Sequence, residues 1–168
     1  MSLFLHEFIH LSLSLLAGYL AWLISGNPLT FIFGLLGGFF VDIDHFIDYF
    51  LAFGLRFNLS YFLKGYQFLK FDKIYVFFHS WELVFILLSL SYFWICSPNS
   101  TNLTNSTNLT AFALAYFFHL ALDSRINHLR PLSYFLLYRI INKFELKSLV
   151  TAKHYINHQK QKKLSPYR

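Results

Sequence analysis

The sequence predicts an all-α integral membrane protein: a bundle of four transmembrane helices, both termini cytoplasmic, with a C-terminal basic interfacial helix. Three observations carry this expectation. Of 168 residues, 56% are hydrophobic and only 13% charged, about half the share usual in soluble domains. The mean hydropathy is +0.46. All 14 Lys and Arg fall in two places, 54–74 and after Asp123, leaving 1–55 and 74–124 without a basic residue.

Four apolar stretches define the spans. The first runs from about Leu5 to Ile24 and stops at Gly26-Asn27-Pro28. The second covers Leu29 to Phe53. The third covers Ile74 to Cys96, closed by Ser97-Pro98. The fourth covers Leu109 to Leu122, with a start as early as Leu103. Three of them approach the ~20 residues a helix needs to cross the hydrocarbon core. Behind them, Pro131 can open a further helix. Arg139, Lys143 and Lys147 would then line one face of it, on the anionic inner leaflet. The length suits one domain. Residues 1–125 form its four-helix transmembrane metal-site part, and 126–168 a basic amphipathic cytoplasmic helix and tail.

The basic residues set the expected topology. Loop 54–74 is basic and is placed in the cytoplasm. Loop 97–110 carries no charge and is placed outside, and the basic C-terminal segment returns to the cytoplasm. The first 55 residues lack a basic n-region, so the first helix is expected to stay as an anchor. Basic residues gathered into flanks, rather than interleaved through a folded surface, argue against nucleic acid as a partner and for membrane lipids. The lone Cys96 allows neither an intramolecular disulfide nor a thiolate zinc cluster. Loop 97–110 holds a repeat, Asn-Ser-Thr-Asn-Leu-Thr at 99–104 and again at 105–110. It reads as a polar spacer or as a set of glycan acceptors.

The chemistry lies in the ionisable residues of the apolar stretches. Six of the eight Asp and Glu are there: Glu7, Asp42, Asp44, Asp48, Glu82 and Asp123. So are His6, His10, His45, His79 and His119. Each costs roughly 2.5–3.5 kcal/mol to insert, even on the lenient scale, so they pair with one another or bind something. On the topology set by Lys and Arg, all four clusters fall at the cytoplasmic end of their helices. His6/His10 and His119/Asp123 are spaced i,i+4. Asp42/His45 and His79/Glu82 are spaced i,i+3. Both spacings put the pair on one helix face. Ligand pairs from several helices are how bundles build metal sites. Histidine and carboxylate without sulfur suits Zn²⁺ first, with Mn²⁺ or Fe²⁺ as alternatives. The candidate ligands are His10, Asp42, Asp44, His45, His79, His119 and Asp123. They are more than one ion needs, so either two metals or one metal with an outer carboxylate shell is expected. Asp48 has a plainer reading as a helix-end or cytoplasm-facing acid. His128, His154 and His158 are expected to be solvated in the basic tail.

The pattern Asp42-Ile-Asp44-His45, His79-Ser80 and His119-Leu-Ala-Leu-Asp123, within apolar helices and with His10 ahead of it, resembles the membrane-bound metal-dependent hydrolases. That inner-membrane family includes a LexA-regulated member. The resemblance covers most of residues 5–125. It implies a divalent-metal site, a hydrolase activity and a prokaryotic cytoplasmic membrane, and brings no substrate with it. Two positions depart from the family's pattern: Val41 stands where proline is frequent, and no His-Arg precedes His79-Ser80. A more distant similarity is to the all-helical zinc-dependent phospholipase C proteins.

Two functions compete at this stage. In the first, the metal activates a water to hydrolyse a lipid or phosphoester at the inner leaflet, with Glu82 as the general base. In the second, the same residues form a non-catalytic metal-binding membrane protein or an ion pathway.

Overall fold

A computed structural model describes residues 3–96 and 100–164, with side chains for 8–96 and 103–163. Helix takes up 79% of the described residues, and no strand forms among them. The isolated bridges Lys73–Glu145 and Leu129–Val150 are the nearest approach to one. The all-helical expectation therefore holds. The chain divides into two compact units, each made of two stretches: 1–41 with 80–123, and 42–79 with 124–168.

The first unit holds α1 (Leu3–Ser25), α2 (Pro28–Phe40), α6 (Trp81–Ile95) and most of α7 (Ser100–Ile126). Gly26, at φ 66°, ends α1 with its N–H on the Trp22 carbonyl at 2.8 Å. That backbone region is open to glycine at little cost. Asn27 then caps α2 by accepting the Leu29 N–H at 3.0 Å, and Pro28 fills the first helical turn. Small residues let these helices touch backbone to backbone. A Cβ on Gly34 would strike the backbone of Gly18, and one on Gly37 would strike the Phe112 carbonyl.

At the other end of this unit the repeat is not a loop, because α7 already begins at Ser100. Residues 97–99 lie outside the described residues. The Ser106 hydroxyl donates to the Ser91 carbonyl at 2.9 Å. The Ser91 hydroxyl lies 2.5 Å from that of Thr110. Asn27 donates to the Asn108 carboxamide oxygen at 3.2 Å. Short hydroxyl and amide side chains can satisfy one another between helices, so the helix absorbs the polar repeat.

The second unit contains α3 (Ile43–Phe53), α4 (Leu59–Leu63) and α5 (Tyr66–Phe71). From the C-terminal stretch it adds a 3₁₀ turn (Pro131–Tyr134), α8 (Leu136–Ile141), α9 (Leu146–Leu149) and α10 (Ala152–Leu164). Its core joins Ile74 and Val76 to Leu146, Leu149 and Val150, covered by Phe68, Leu129, Tyr138 and Tyr155. The stretch 124–164 is thus packed onto the unit that begins at Asp42.

This corrects the expectation of a single basic helix after Pro131. Lys143 and Phe144 adopt positive φ (53° and 58°), which breaks the chain away from α8. Arg139, expected beside Lys143 and Lys147 on an exposed face, is buried. His158 is buried as well, bonded to Asp72 at 2.9 Å, and the His128 and His154 rings pack at 4.9 Å. His158 is thus not a solvated tail residue and His154 is half-buried, while His128 is exposed as expected.

Four expected spans reduce to two that are long and apolar enough to cross a membrane among the described residues: Phe8–Ser25 and Pro28–Phe53. The second is interrupted by a turn at 41–42. The third expected span shortens because 74–80 is not helical. The 15 residues of α6 cover only about 22 Å, short of the ~30 Å core. The 27 residues of α7 reach about 40 Å, but their Ser, Thr and Asn content keeps them below the hydropathy of a span.

Candidate metal centre

In the first unit, α1 and α7 bring together His10, His119 and Asp123. The His10 Nε2 lies 3.1 Å from Asp123 Oδ1, and the His119 Nε2 lies 3.4 Å from Asp123 Oδ2. The two imidazoles face each other at 3.9 Å between centroids. All three side chains are at most 5% exposed. The i,i+4 spacing of His119 and Asp123 places them together as expected. His6 and Glu7 lie outside the residues with described side chains. In this unit, one ligand atom from each of His10, His119 and Asp123 can lie within 4.8 Å of the others, as a metal ion requires.

The second unit builds its cluster on the turn before α3 and on the non-helical segment 75–79. Asp42 precedes α3, and His45 lies one turn on. Asp42 Oδ1 stands 3.7 Å from the His45 Nε2 and 3.6 Å from the His79 Nε2. The two rings are 4.8 Å apart. Asp44 is fully buried and turns to the other side of His79. Its Oδ1 accepts from Nδ1 at 3.0 Å, and its Oδ2 accepts the Phe78 and His79 N–H groups at 2.6 and 3.2 Å. This is a carboxylate–histidine pair. Holding the proton on Nδ1 leaves Nε2, on the Asp42 side, as the lone-pair nitrogen. One ligand atom from each of Asp44, His45 and His79 lies within 4.8 Å of the others, so Asp44 can join a metal group as well as orient His79, while Asp42 stands on the Nε2 side.

Segment 75–79 turns instead of forming helix because most of its polar groups are taken from outside. Both oxygens of Asp48 accept the Tyr75 N–H at 3.2 Å. Asp44 and Asp48 lie one turn apart on the same face of α3, so together they hold both ends of the segment. Asp48 is therefore neither a cytoplasm-facing acid nor a metal ligand, and its spacing from Asp44 was the available signal. The guanidinium of Arg139 donates to the carbonyls of Tyr75 (3.3 Å), Val76 and His79 (2.9 Å). Nothing in the spacing of the basic residues pointed to it.

Glu82 does not share a helix face with His79. His79 lies outside α6, which starts at Trp81 behind the cap residue Ser80. The i,i+3 face that was to join His79 and Glu82 therefore does not form, and Glu82 sits in the first turn of α6.

Comparison with family models, with curated proteins and with solved structures found no match.

Proposed function

We propose that the chain is a membrane-embedded metal-dependent hydrolase whose reactive metal is held by Asp42, His45 and His79. The observation that carries this reading is the position of Asp42 Oδ1, 3.6 and 3.7 Å from two imidazole nitrogens. Ligands about 2.0–2.2 Å from a tetrahedral ion stand roughly 3.3–3.6 Å from one another. The distances from Asp42 to each of the two nitrogens are therefore close to what such an ion needs. The nitrogen and oxygen donors favour Zn²⁺, with Mn²⁺ or Fe²⁺ as alternatives.

Exposure separates the two clusters. Asp42 and His45 are each 33% exposed, which leaves a coordination position within reach of substrate. His10, His119 and Asp123 are closed on all sides, the character of a structural site. We assign the reaction to the first set and a stabilising ion to the second. A bound ion would lower the pKa of a coordinated water towards ~7 and polarise the scissile group. The chain's own part is orientation: Asp44 fixes the His79 tautomer and ring, and Asp42 and His45 complete the donor set.

The membrane reading rests on an inside-out distribution. Only 22% of the Phe8–Ser25 window and 33% of the Pro28–Phe53 window are buried. A core helix of a soluble protein would bury most of its apolar residues. Ile24 is 87% exposed, while His10, Ser14 and Thr30 are inside. α1 supplies His10 to the buried cluster and so takes part in the packed fold. The basic 54–74 and 125–168 stretches support a cytoplasmic placement of their ends. We take the substrate to be lipid-like or a phosphoester delivered at the inner leaflet.

The test is hydrolysis of bis(p-nitrophenyl) phosphate and of phospholipid in detergent micelles, by wild type and by Asp42→Asn, after loading with Zn²⁺ or Mn²⁺. Metal-dependent turnover lost in Asp42→Asn supports the reading. Metal bound at wild-type stoichiometry without turnover on either substrate favours the second reading, a non-catalytic metal-binding protein, for which the closure of the His10–His119–Asp123 cluster speaks.

A further inference from the structure

His79 is carried on backbone that should not hold its shape unaided. Val76, three residues before it, has φ 28°. For a β-branched residue that conformation is unfavourable and persists only where the surroundings over-determine it. Here they do. The N–H groups of Tyr75, Phe78 and His79 are accepted by Asp48 and Asp44. The carbonyls of Tyr75, Val76 and His79 are bound by one side chain, Arg139 on α8. Arg139 is 1% exposed, and its charge acts on Asp48. Burying a cation is expensive unless its donors are used. This one uses its planar fork on three carbonyls of a five-residue segment.

We infer that Arg139 is a positioning residue for the metal held by Asp42, His45 and His79, acting through the backbone that carries His79; the inference rests on the metal-binding reading above. The His79 carbonyl is bonded to Arg139, and its N–H and ring Nδ1 are bonded to Asp44. The carbonyl, N–H and Nδ1 of this residue are thus each tied to a charged side chain. Loosening one tie lets the ring pivot. Displacement of about 1 Å is enough to spoil a coordination or catalytic geometry. The chemistry asks for arginine and not lysine. An ammonium is a single point of donation, whereas a guanidinium spans several acceptors in fixed relative positions. The segment after Asp123 thereby gains a role other than membrane contact: α8 braces the metal site.

The experiment titrates Co²⁺, as a spectroscopic probe, into metal-free wild type, Arg139→Lys and Asp48→Asn, each full-length in detergent. Far-UV dichroism and thermal unfolding run in parallel. The inference predicts that Arg139→Lys keeps its helicity and unfolds within a few degrees of wild type. It also predicts a Co²⁺ affinity roughly 10–100-fold weaker, as for loss of an outer-shell partner, and a changed visible d–d spectrum. Asp48→Asn, which weakens the opposite side of the same segment, should change the spectrum similarly with a smaller loss of affinity. A folded Arg139→Lys with the wild-type affinity and spectrum overturns the inference. So does loss of binding only in step with loss of helicity, which would make Arg139 a general structural residue. Should Arg139→Lys not fold, Asp48→Asn decides, and an unchanged Co²⁺ spectrum there counts against the positioning role. A wild type that binds no Co²⁺ refutes the metal reading itself, and is recognised by failing before any variant is compared.

Discussion

Asp44 accepts hydrogen bonds from both the ring and the backbone of His79, at 3.0 and 3.2 Å. A side chain held at both points has little freedom left. Its second nitrogen is directed by the same contact that fixes its tautomer. The contact is also wholly buried, so it works in a low-dielectric setting where a charged acceptor counts for more. Much of the proposed chemistry follows from this one pair.

Asp44→Asn keeps the shape and removes the charge. An amide can still accept from one N–H, but it cannot serve the ring and two backbone groups equally well. Metal affinity at the Asp42–His45–His79 cluster should fall about 10–100-fold, with the His10–His119–Asp123 cluster unaffected. Competitive titration against a zinc chelator measures this, and an unchanged affinity would remove Asp44 from the account.

His119→Ala with Asp123→Ala should remove the closed cluster while sparing the open one. One bound equivalent should disappear, and thermal stability should drop. Turnover should persist at temperatures where the variant stays folded. Complete loss of turnover in a folded, metal-loaded variant would contradict the division of roles between the clusters.

Gly37→Ala should be poorly tolerated. The new methyl would meet the Phe112 carbonyl, and backbone cannot move aside as a side chain can. A loss of roughly 1–3 kcal/mol is expected from overpacking. Gly26→Ala has open space around its Cβ but carries positive φ, so it should cost less. Unfolding of both variants in detergent gives the comparison.

Acid should release α10 in two steps. Burial lowers the His154 imidazole below its ordinary 6.5, and the neighbouring charges of His128 and His158 lower it further. The unfolded state then takes up the proton first, so stability declines as pH falls from about 6.5. Asp72 behaves differently. Partial burial pushes its carboxyl up, but the hydrogen bonds and charges of Lys162 and His158 outweigh this and hold it below 3.8. Its contribution is fully present above that pH and is lost as pH falls through the depressed value. Proteolysis of the C-terminal helix across pH 3–8 measures both steps. His154→Gln should remove the upper one, and Asp72→Asn the lower.

Legibility in the sequence followed the range of the interaction. His119 and Asp123 are four residues apart on a helix, and the structure keeps them paired. The apolar length of the first two stretches was equally plain. What escaped were choices settled by distant partners. Ile74–Phe78 reads as the start of an apolar helix, yet Asp44 and Asp48 take its N–H groups more than 25 residues away in sequence. Arg139 reads as one of a row of surface cations, and no local pattern distinguishes the one that is buried. The repeat at 99–110 reads as a loop from its Asn and Ser content. Its hydroxyls find partners on α6, and the residues from Ser100 on join a helix. Glycosylation at Asn108 is correspondingly not expected, since its side chain is buried and bonded to Asn27.

Elemental analysis of the purified full-length protein, beside an Asp42→Asn/His79→Gln variant, tests the central claim most directly. The account predicts zinc, manganese or iron near stoichiometry in the wild type and loss of one equivalent in the variant, with helicity retained. A folded wild type that holds no metal after exposure to all three ions, or a variant that keeps the full wild-type content, would contradict it.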